Sequence, residues 1–122
     1  MTTPPVRHHF EYEEASNDVA VVRFTTTVLR DDRVIRGVFD ELDKQLVEAG
    51  KTRIVMNFAG IEAFASYAIG RLIALNDKLP PLGGRLALCE LAPMVVEIID
   101  LMKLRRRFSI HKSEREALES FA

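Results

Sequence analysis

The sequence predicts a single α/β domain in which a mixed sheet of about four or five strands carries helices mainly on one face. Short apolar, β-branched runs alternate with longer segments of helical period, which favours parallel strands joined by right-handed crossovers. The first two apolar runs are separated by only two residues, so they predict an antiparallel hairpin at the start of the sheet. A length of 122 residues suits one domain with one core.

The predicted elements follow the order β-β-α-β-α-β-α-β-α. Each boundary rests on turn and cap residues such as Asn17-Asp18, Gly50 and Pro80-Pro81. The predicted strands are His9–Ser16, Val19–Phe24, Arg53–Phe58, Arg85–Leu91 and Arg107–Ile110. Four helices are predicted. The first follows Asp31-Asp32 and ends at Gly50, the second runs from Ser66 to Leu79, the third begins at Pro93, and the fourth runs from Ser113 to Phe121.

The three longer helices each carry an apolar stripe at helical spacing. We expect Leu42, Leu72 and Ile98 to point from these stripes into the core. Pro93 suits the first position of a helix because it has no backbone N–H to leave unpaired. Ser113 and Glu116 have the spacing of a capping box for the last helix.

Composition excludes several classes of protein. Lys and Arg number 17 against 18 Asp and Glu, so the net charge of −1 favours neither nucleic acid nor an anionic membrane. No apolar stretch reaches the roughly 18 residues that cross a bilayer, so we predict no membrane insertion. The lone Cys89 permits no intrachain disulfide, which fits a cytoplasmic protein.

Residues 1–7 contain two prolines and are predicted to be a loose tail before a domain spanning 8–122.

No motif for catalysis or for a cofactor stands out. The chain has no Gly-rich phosphate loop before a helix and no Cys/His spacing typical of a metal site. Adjacent residues of a strand point to opposite faces, so His8 and His9 do not easily share a metal. We therefore predict no enzyme, no cofactor and no metal. An enzyme or nucleotide-binding protein would need a site that these residues do not form.

The densest basic run is Lys103–Phe108, between a predicted helix and a predicted strand. Such a run can hold an anion or a phosphate. The favoured interpretation is a solvated turn, because cations stabilise the carboxyl end of a helix.

Ser66 stands where an apolar run gives way to a helical period, and it has two interpretations. A serine at this place can cap the helix by accepting a hydrogen bond from an N–H group of the first turn. The same place suits a phosphate, because the amino end of a helix stabilises an added dianion. The local pattern favours the cap.

The residues around Ser66 also resemble a known family. A strand ending in "NFAG" (Asn57–Gly60) is followed by a helix opening "ASYAIG" (Ala65–Gly70), and later by "LMKLRRRFSIHKSEREAL" (Leu101–Leu118). In this order and spacing the chain is similar, over about residues 8–121, to the STAS domain of the bacterial anti-sigma factor antagonists. The resemblance implies a STAS-like α/β fold and a role in transcription regulation and signal transduction.

The resemblance implies that Ser66 is a phosphorylation site. It matches the serine that an anti-sigma factor phosphorylates in the switching members of the family. Ala65 and Asn57 stand where the family has aspartates, Tyr67 stands in place of a second serine, and Ala68 in place of a glycine.

The implied partner is an anti-sigma serine kinase with a histidine-kinase-like ATPase fold. We expect it to bind the start of the Ser66 helix together with a flanking stripe of that helix, which consists of Tyr67, Arg71, Ala74 and Lys78. The alternative is a non-phosphorylated STAS adaptor in a signalling scaffold or a lipid-transport assembly, and Ala65 favours it.

Overall fold

The structure, a computed structural model, describes residues 9–122, so the predicted tail and His8 lie outside the described residues. Seven strands and four α-helices follow one another in the described chain. The strands are β1 (Phe10–Ala15), β2 (Val19–Phe24), β3 (Val28–Leu29), β4 (Arg53–Asn57), β5 (Ala63–Phe64), β6 (Arg85–Cys89) and β7 (Ser109–His111). The helices are α1 (Asp32–Leu42), α2 (Ser66–Lys78), α3 (Pro93–Leu101) and α4 (Glu114–Glu119).

The main sheet has five strands in the order β1-β2-β4-β6-β7. β1 pairs with β2 antiparallel, and every later pair in this sheet is parallel. The predicted mixed sheet and hairpin are therefore confirmed. The hairpin turn is longer than predicted: Ser16–Asp18 forms a tight helical turn in which Asn17 and Asp18 adopt left-handed backbone angles.

The core lies on both faces of the sheet, with most of it on the side of α1, α2 and α3. Leu42 and Leu72 are fully buried there, and Ile98 is half-buried against the same cluster. On the opposite face α4 covers a smaller apolar cluster with Ala117 and Phe121. Three helices on one face and one on the other agree with the predicted architecture.

Three of the predicted helix starts are confirmed. The Asp31 side chain accepts a hydrogen bond from the Arg33 N–H at 2.8 Å, and Pro93 is the first residue of α3. Ser113 Oγ accepts from the Glu116 N–H at 3.1 Å. Only half of the capping box forms, because the Glu116 carboxylate accepts from the Lys112 N–H instead of the Ser113 N–H.

A second, two-stranded sheet was not predicted. β3 and β5 pair in parallel, and the Ala65 N–H donates to the Leu29 carbonyl at 2.8 Å. These strands have two residues each, too few to show an alternating pattern in the sequence. Their pairing fixes the extended chain that leads directly into α2.

Candidate functional site at the start of the second helix

Ser66 is the first helical residue of α2, so the prediction that it caps this helix is wrong. The cap position belongs to Ala65, whose backbone is extended, and no side chain caps the helix there. The reason is the β3–β5 pairing, which holds Ala65 in its extended conformation against Leu29, so that the helix begins at Ser66, one residue earlier than a capping serine needs.

The Ser66 side chain is exposed, and within residues 9–122 its hydroxyl makes no hydrogen bond. It lies at the amino end of a 13-residue helix whose first turn receives no side-chain acceptor. The unpaired N–H groups and the helix dipole place partial positive charge beside this hydroxyl. The position is therefore accessible to another protein and tolerant of an anion.

The predicted stripe of α2 lies along the boundary with α1. Arg71 Nη2 is 2.9 Å from Asp40 Oδ1, and Lys78 Nζ is 2.9 Å from Asp43 Oδ1. Ala74 is exposed between these two ion pairs. We refer to the predicted set as the Ser66 patch: Ser66, Tyr67, Arg71, Ala74 and Lys78.

Tyr67 sits between two guanidinium groups. Arg71 Nη1 donates to the Tyr67 hydroxyl at 3.4 Å, which confirms that these two residues meet. The Arg36 guanidinium on α1, followed by that of Arg71, lowers the pKa of the Tyr67 hydroxyl. Arg71 also lies over the Phe39 ring, 5.5 Å from its centroid. The patch is thus ordered by contacts with α1 while part of its surface stays open.

A polar network that the sequence did not reveal anchors the loop before this site. Asn57, only 9% exposed, donates from Nδ2 to Glu114 Oε1 at 2.9 Å and accepts at Oδ1 from the Ala59 N–H. Arg23 donates to both carboxylate oxygens of Glu114, at 2.9 and 2.8 Å. Arg23, Asn57 and Glu114 are called the Asn57 cluster below.

The Asn57 cluster joins three separate parts of the chain: β2, the end of β4, and α4. Its hydrogen bonds, first that from Arg23, lower the pKa of Glu114. The one sequence signal was Arg23, a charged residue within the otherwise apolar run Val19–Phe24. Such a charge needs a partner, but the sequence does not say that the partner is 91 residues away.

Other candidate groups do not form a reactive site in the described chain. Burial, together with the nearby charge of Glu114, raises the pKa of Cys89 to about 12, so its thiol stays protonated. Residues 9–122 contain no group of three or more His, Cys, Asp or Glu side chains that could hold a metal. Over the same residues, no helix is long and apolar enough to cross a membrane.

The basic run forms the exposed turn that the sequence favours. Arg105–Arg107 makes a short helical turn between α3 and β7. Arg105 is 2.7 Å from Asp100, and Arg107 is 2.6 Å from Asp77. These two ion pairs therefore attach the turn to α3 and α2.

Comparison with known proteins identifies the class. The family model of the STAS domain matches residues 14–117, and the chain belongs to this family. Among curated proteins no sequence matches the chain.

Solved structures have the same fold. The protein TM1081 of Thermotoga maritima has a TM-score of 0.82 at 19% identity, over 93% of this chain and 95% of its own. An anti-sigma factor antagonist from Mycobacterium paratuberculosis has a TM-score of 0.79 at 18% identity, over 98% of both chains. The phosphorylated form of the Bacillus cell fate determinant SpoIIAA has a TM-score of 0.70 at 18% identity, over 93% of this chain and 99% of its own. The expected STAS fold is confirmed, and membership of the family supports a regulatory role through protein interaction.

Proposed function

We propose that the protein is a cytoplasmic anti-sigma factor antagonist that binds an anti-sigma serine kinase through the Ser66 patch and is released by phosphorylation of Ser66. The observation that carries this proposal is the exposed Ser66 hydroxyl, which has no hydrogen-bond partner in the described chain and opens α2. A hydroxyl that contributes nothing to the fold is free to be modified without unfolding the protein.

The position of Ser66 explains how such a switch would act. A phosphate adds a charge of about −1.5 to −2, which the positive amino end of α2 stabilises. The fold therefore survives, and the change falls on the binding surface. A phosphate that faces negative charge on the partner, or that is desolvated in the contact without a cation beside it, costs several kcal/mol of binding free energy.

The neighbouring residues supply the binding energy in this proposal. Tyrosine and arginine are among the commonest anchors of protein interfaces, and Tyr67 and Arg71 touch each other. The Arg71–Asp40 ion pair and the Phe39 ring hold Arg71 in place before binding. Less side-chain entropy is then lost when the partner docks.

A constitutive STAS adaptor is the second candidate function. Ala65 favours it, because the residue before Ser66 has no carboxylate to help position a kinase or its metal ion. The adaptor would use the same patch without phosphorylation, in a signalling scaffold or a lipid-transport assembly.

Phosphate transfer from an anti-sigma serine kinase distinguishes the two functions. The purified protein is incubated with that kinase, ATP and magnesium, and its mass is measured intact and after digestion. We expect one phosphate on wild-type protein and none on Ser66→Ala. The matched control Ser16→Ala removes an exposed hydroxyl from the β1–β2 turn and should be phosphorylated like wild type. Binding without phosphate transfer would support the adaptor, and phosphate retained in Ser66→Ala would place the switch at another residue.

A further inference from the structure

An open groove lies at the carboxyl ends of β4 and β6, and we refer to it as the Glu90 groove. Its volume is about 530 Å³, within the range of about 300–1,000 Å³ that is typical of ligand sites. Phe58 and Ile61 from the loop after β4 form a buried apolar floor, and Ala92, Pro93 and Met94 at the start of α3 line the other side. The groove can therefore take up apolar side chains.

Backbone hydrogen bonds hold the groove in shape. The Phe58 N–H donates to the Cys89 carbonyl at 3.0 Å, which ties the loop after β4 to the end of β6. The Ile61 N–H donates to the Phe58 carbonyl at 3.0 Å, and the Glu62 N–H donates to the Thr27 carbonyl at 2.7 Å. A groove that is already formed loses little entropy when it is filled.

The groove is also acidic. Glu62 and Glu90 both line it, both are exposed, and neither forms an ion pair among residues 9–122. The described residues of its lining include no lysine, arginine or histidine. Two carboxylates beside an apolar floor favour a ligand that carries positive charge.

The backbone of Glu90 indicates that its side chain is used. Its φ angle is 58°, in the left-handed region that glycine adopts without strain and that a glutamate rarely adopts. Strained positions of this kind are kept mainly where a side chain serves function. The chain therefore holds a carboxylate in the groove at a position where glycine would fit more easily.

These features select one kind of occupant. A nucleotide or another anion would be repelled by the two glutamates, and a neutral apolar molecule would leave both of them unused. We propose that the Glu90 groove binds a protein segment in which an apolar side chain stands next to lysine or arginine. The identity of the partner as the anti-sigma kinase rests on the proposed function. Glu62 and Ser66 are four residues apart, a span of at most about 14 Å, so one partner can cover the groove and the Ser66 patch together.

Calorimetric titration with an anti-sigma serine kinase tests the acidic lining. Glu62→Lys/Glu90→Lys should raise the dissociation constant by more than about tenfold, because it sets like charges against each other. The matched control Glu11→Lys/Glu119→Lys makes the same charge change at exposed positions of β1 and α4 and should bind like wild type. Groove and control variants that lose equal affinity would mean that only net charge matters, which overturns the groove.

The same titrations separate this inference from the proposed function. Weaker binding of Tyr67→Ala/Arg71→Ala, with wild-type affinity in the groove variant, would leave the proposed function standing and overturn the groove. A wild-type chain that binds no such kinase would overturn the proposed partner. The groove would then be judged by the two experiments on Glu90 and on peptides.

Glu90→Gly distinguishes a binding role from a structural one. It should unfold in urea no earlier than wild type, because glycine relieves the left-handed backbone. It should nevertheless bind the kinase about threefold more weakly, because one carboxylate of the groove is lost. Unchanged affinity, or a clear loss of stability, would show that the strained carboxylate does not serve binding.

Amide NMR spectra with two defined peptides test the groove without the kinase. The probes are acetyl-Leu-Lys-Phe-Arg-amide and acetyl-Leu-Glu-Phe-Glu-amide, added at equal concentrations. The basic peptide should shift the amide signals of Gly60, Glu62 and Glu90, and the acidic peptide should leave them in place. No shift with either peptide, or equal shifts with both, would overturn the inference.

Discussion

The Asn57 cluster and Ser66 lie on either side of the loop from β4 to α2, yet their polar groups are used in opposite ways. The Asn57 amide and both Glu114 oxygens are hydrogen-bonded within the protein. The Ser66 hydroxyl, by contrast, has no partner in the described chain. The closed network holds strands and helix together, whereas the open hydroxyl is left for another molecule. The difference separates residues that serve the fold from residues proposed to serve binding.

The largest expected effect concerns binding by the Ser66 patch. Tyr67→Ala/Arg71→Ala should weaken binding to the anti-sigma kinase by more than about 2 kcal/mol, because the double change removes both anchors. The free energy of unfolding should fall less, by about 1–2 kcal/mol, for the loss of the partly exposed ion pair with Asp40, the Phe39 contact and the partial packing of Tyr67 against the core. Calorimetric titration and urea denaturation measure the two effects. Lys44→Ala, an exposed change near the end of α1, is the control, and undiminished affinity in the double variant would move the binding site away from this patch.

The next effect concerns stability and the closed network. Glu114→Ala should lower the free energy of unfolding by about 2 kcal/mol, because the Arg23 guanidinium and the Asn57 amide lose the charged acceptor that they share. Glu119→Ala removes the same charge from an exposed position of α4 and should change stability by less than about 0.5 kcal/mol. Equal losses in the two variants, measured by urea denaturation, would mean that the network contributes nothing beyond helix charge.

A smaller effect should appear at acid pH. The folded-state pKa of Glu114 lies below its ordinary value of 4.5, so the unfolded chain binds more protons in this window. The stability that Glu114 contributes is fully present above the unfolded-state pKa and is lost as the pH falls through the folded-state pKa. The stability difference between wild type and Glu114→Gln should therefore shrink from pH 6 toward acid pH. Denaturation curves at a series of pH values test this, and a constant difference would contradict it.

The smallest effect separates Ser66 from a true helix cap. Ser66→Ala should change the free energy of unfolding by less than about 0.5 kcal/mol, because the hydroxyl bonds to nothing in the described chain. Asp31→Ala should cost about 1 kcal/mol, since Asp31 caps α1 through the Arg33 N–H. The two variants are compared in one denaturation series. A loss for Ser66→Ala as large as that for Asp31→Ala would show that the hydroxyl serves the fold.

The sequence predicted features that are encoded locally. Apolar periods located the sheet and the burial of Leu42 and Leu72, while Asp31 and Pro93 marked helix starts through the geometry of a single turn. The cap of α2 lies at Ala65, one residue before the predicted Ser66, because a pairing between two short strands decides where the extended chain ends. A one-residue displacement is enough to turn a predicted cap into an exposed hydroxyl.

The candidate site could be predicted only in part for the same physical reason. Tyr67 and Arg71 are four residues apart on one helix, so their contact follows from helical spacing. The ion pairs of Arg71 with Asp40 and of Lys78 with Asp43 join residues more than 30 positions apart, as does the bond between Asn57 and Glu114. Such contacts depend on how the helices and the sheet pack, which local pattern does not determine.

The most direct test of the proposed switch compares the affinity of two forms of one protein. Unmodified protein and protein carrying phosphate at Ser66 are each titrated calorimetrically into an anti-sigma serine kinase, and their melting curves are recorded alongside. We expect the phosphorylated form to bind at least about tenfold more weakly, while both forms unfold with closely similar curves. Equal affinities would contradict the proposal that charge at Ser66 controls the interface. A phosphorylated form that unfolds much earlier would contradict the proposal that the amino end of α2 accommodates the phosphate.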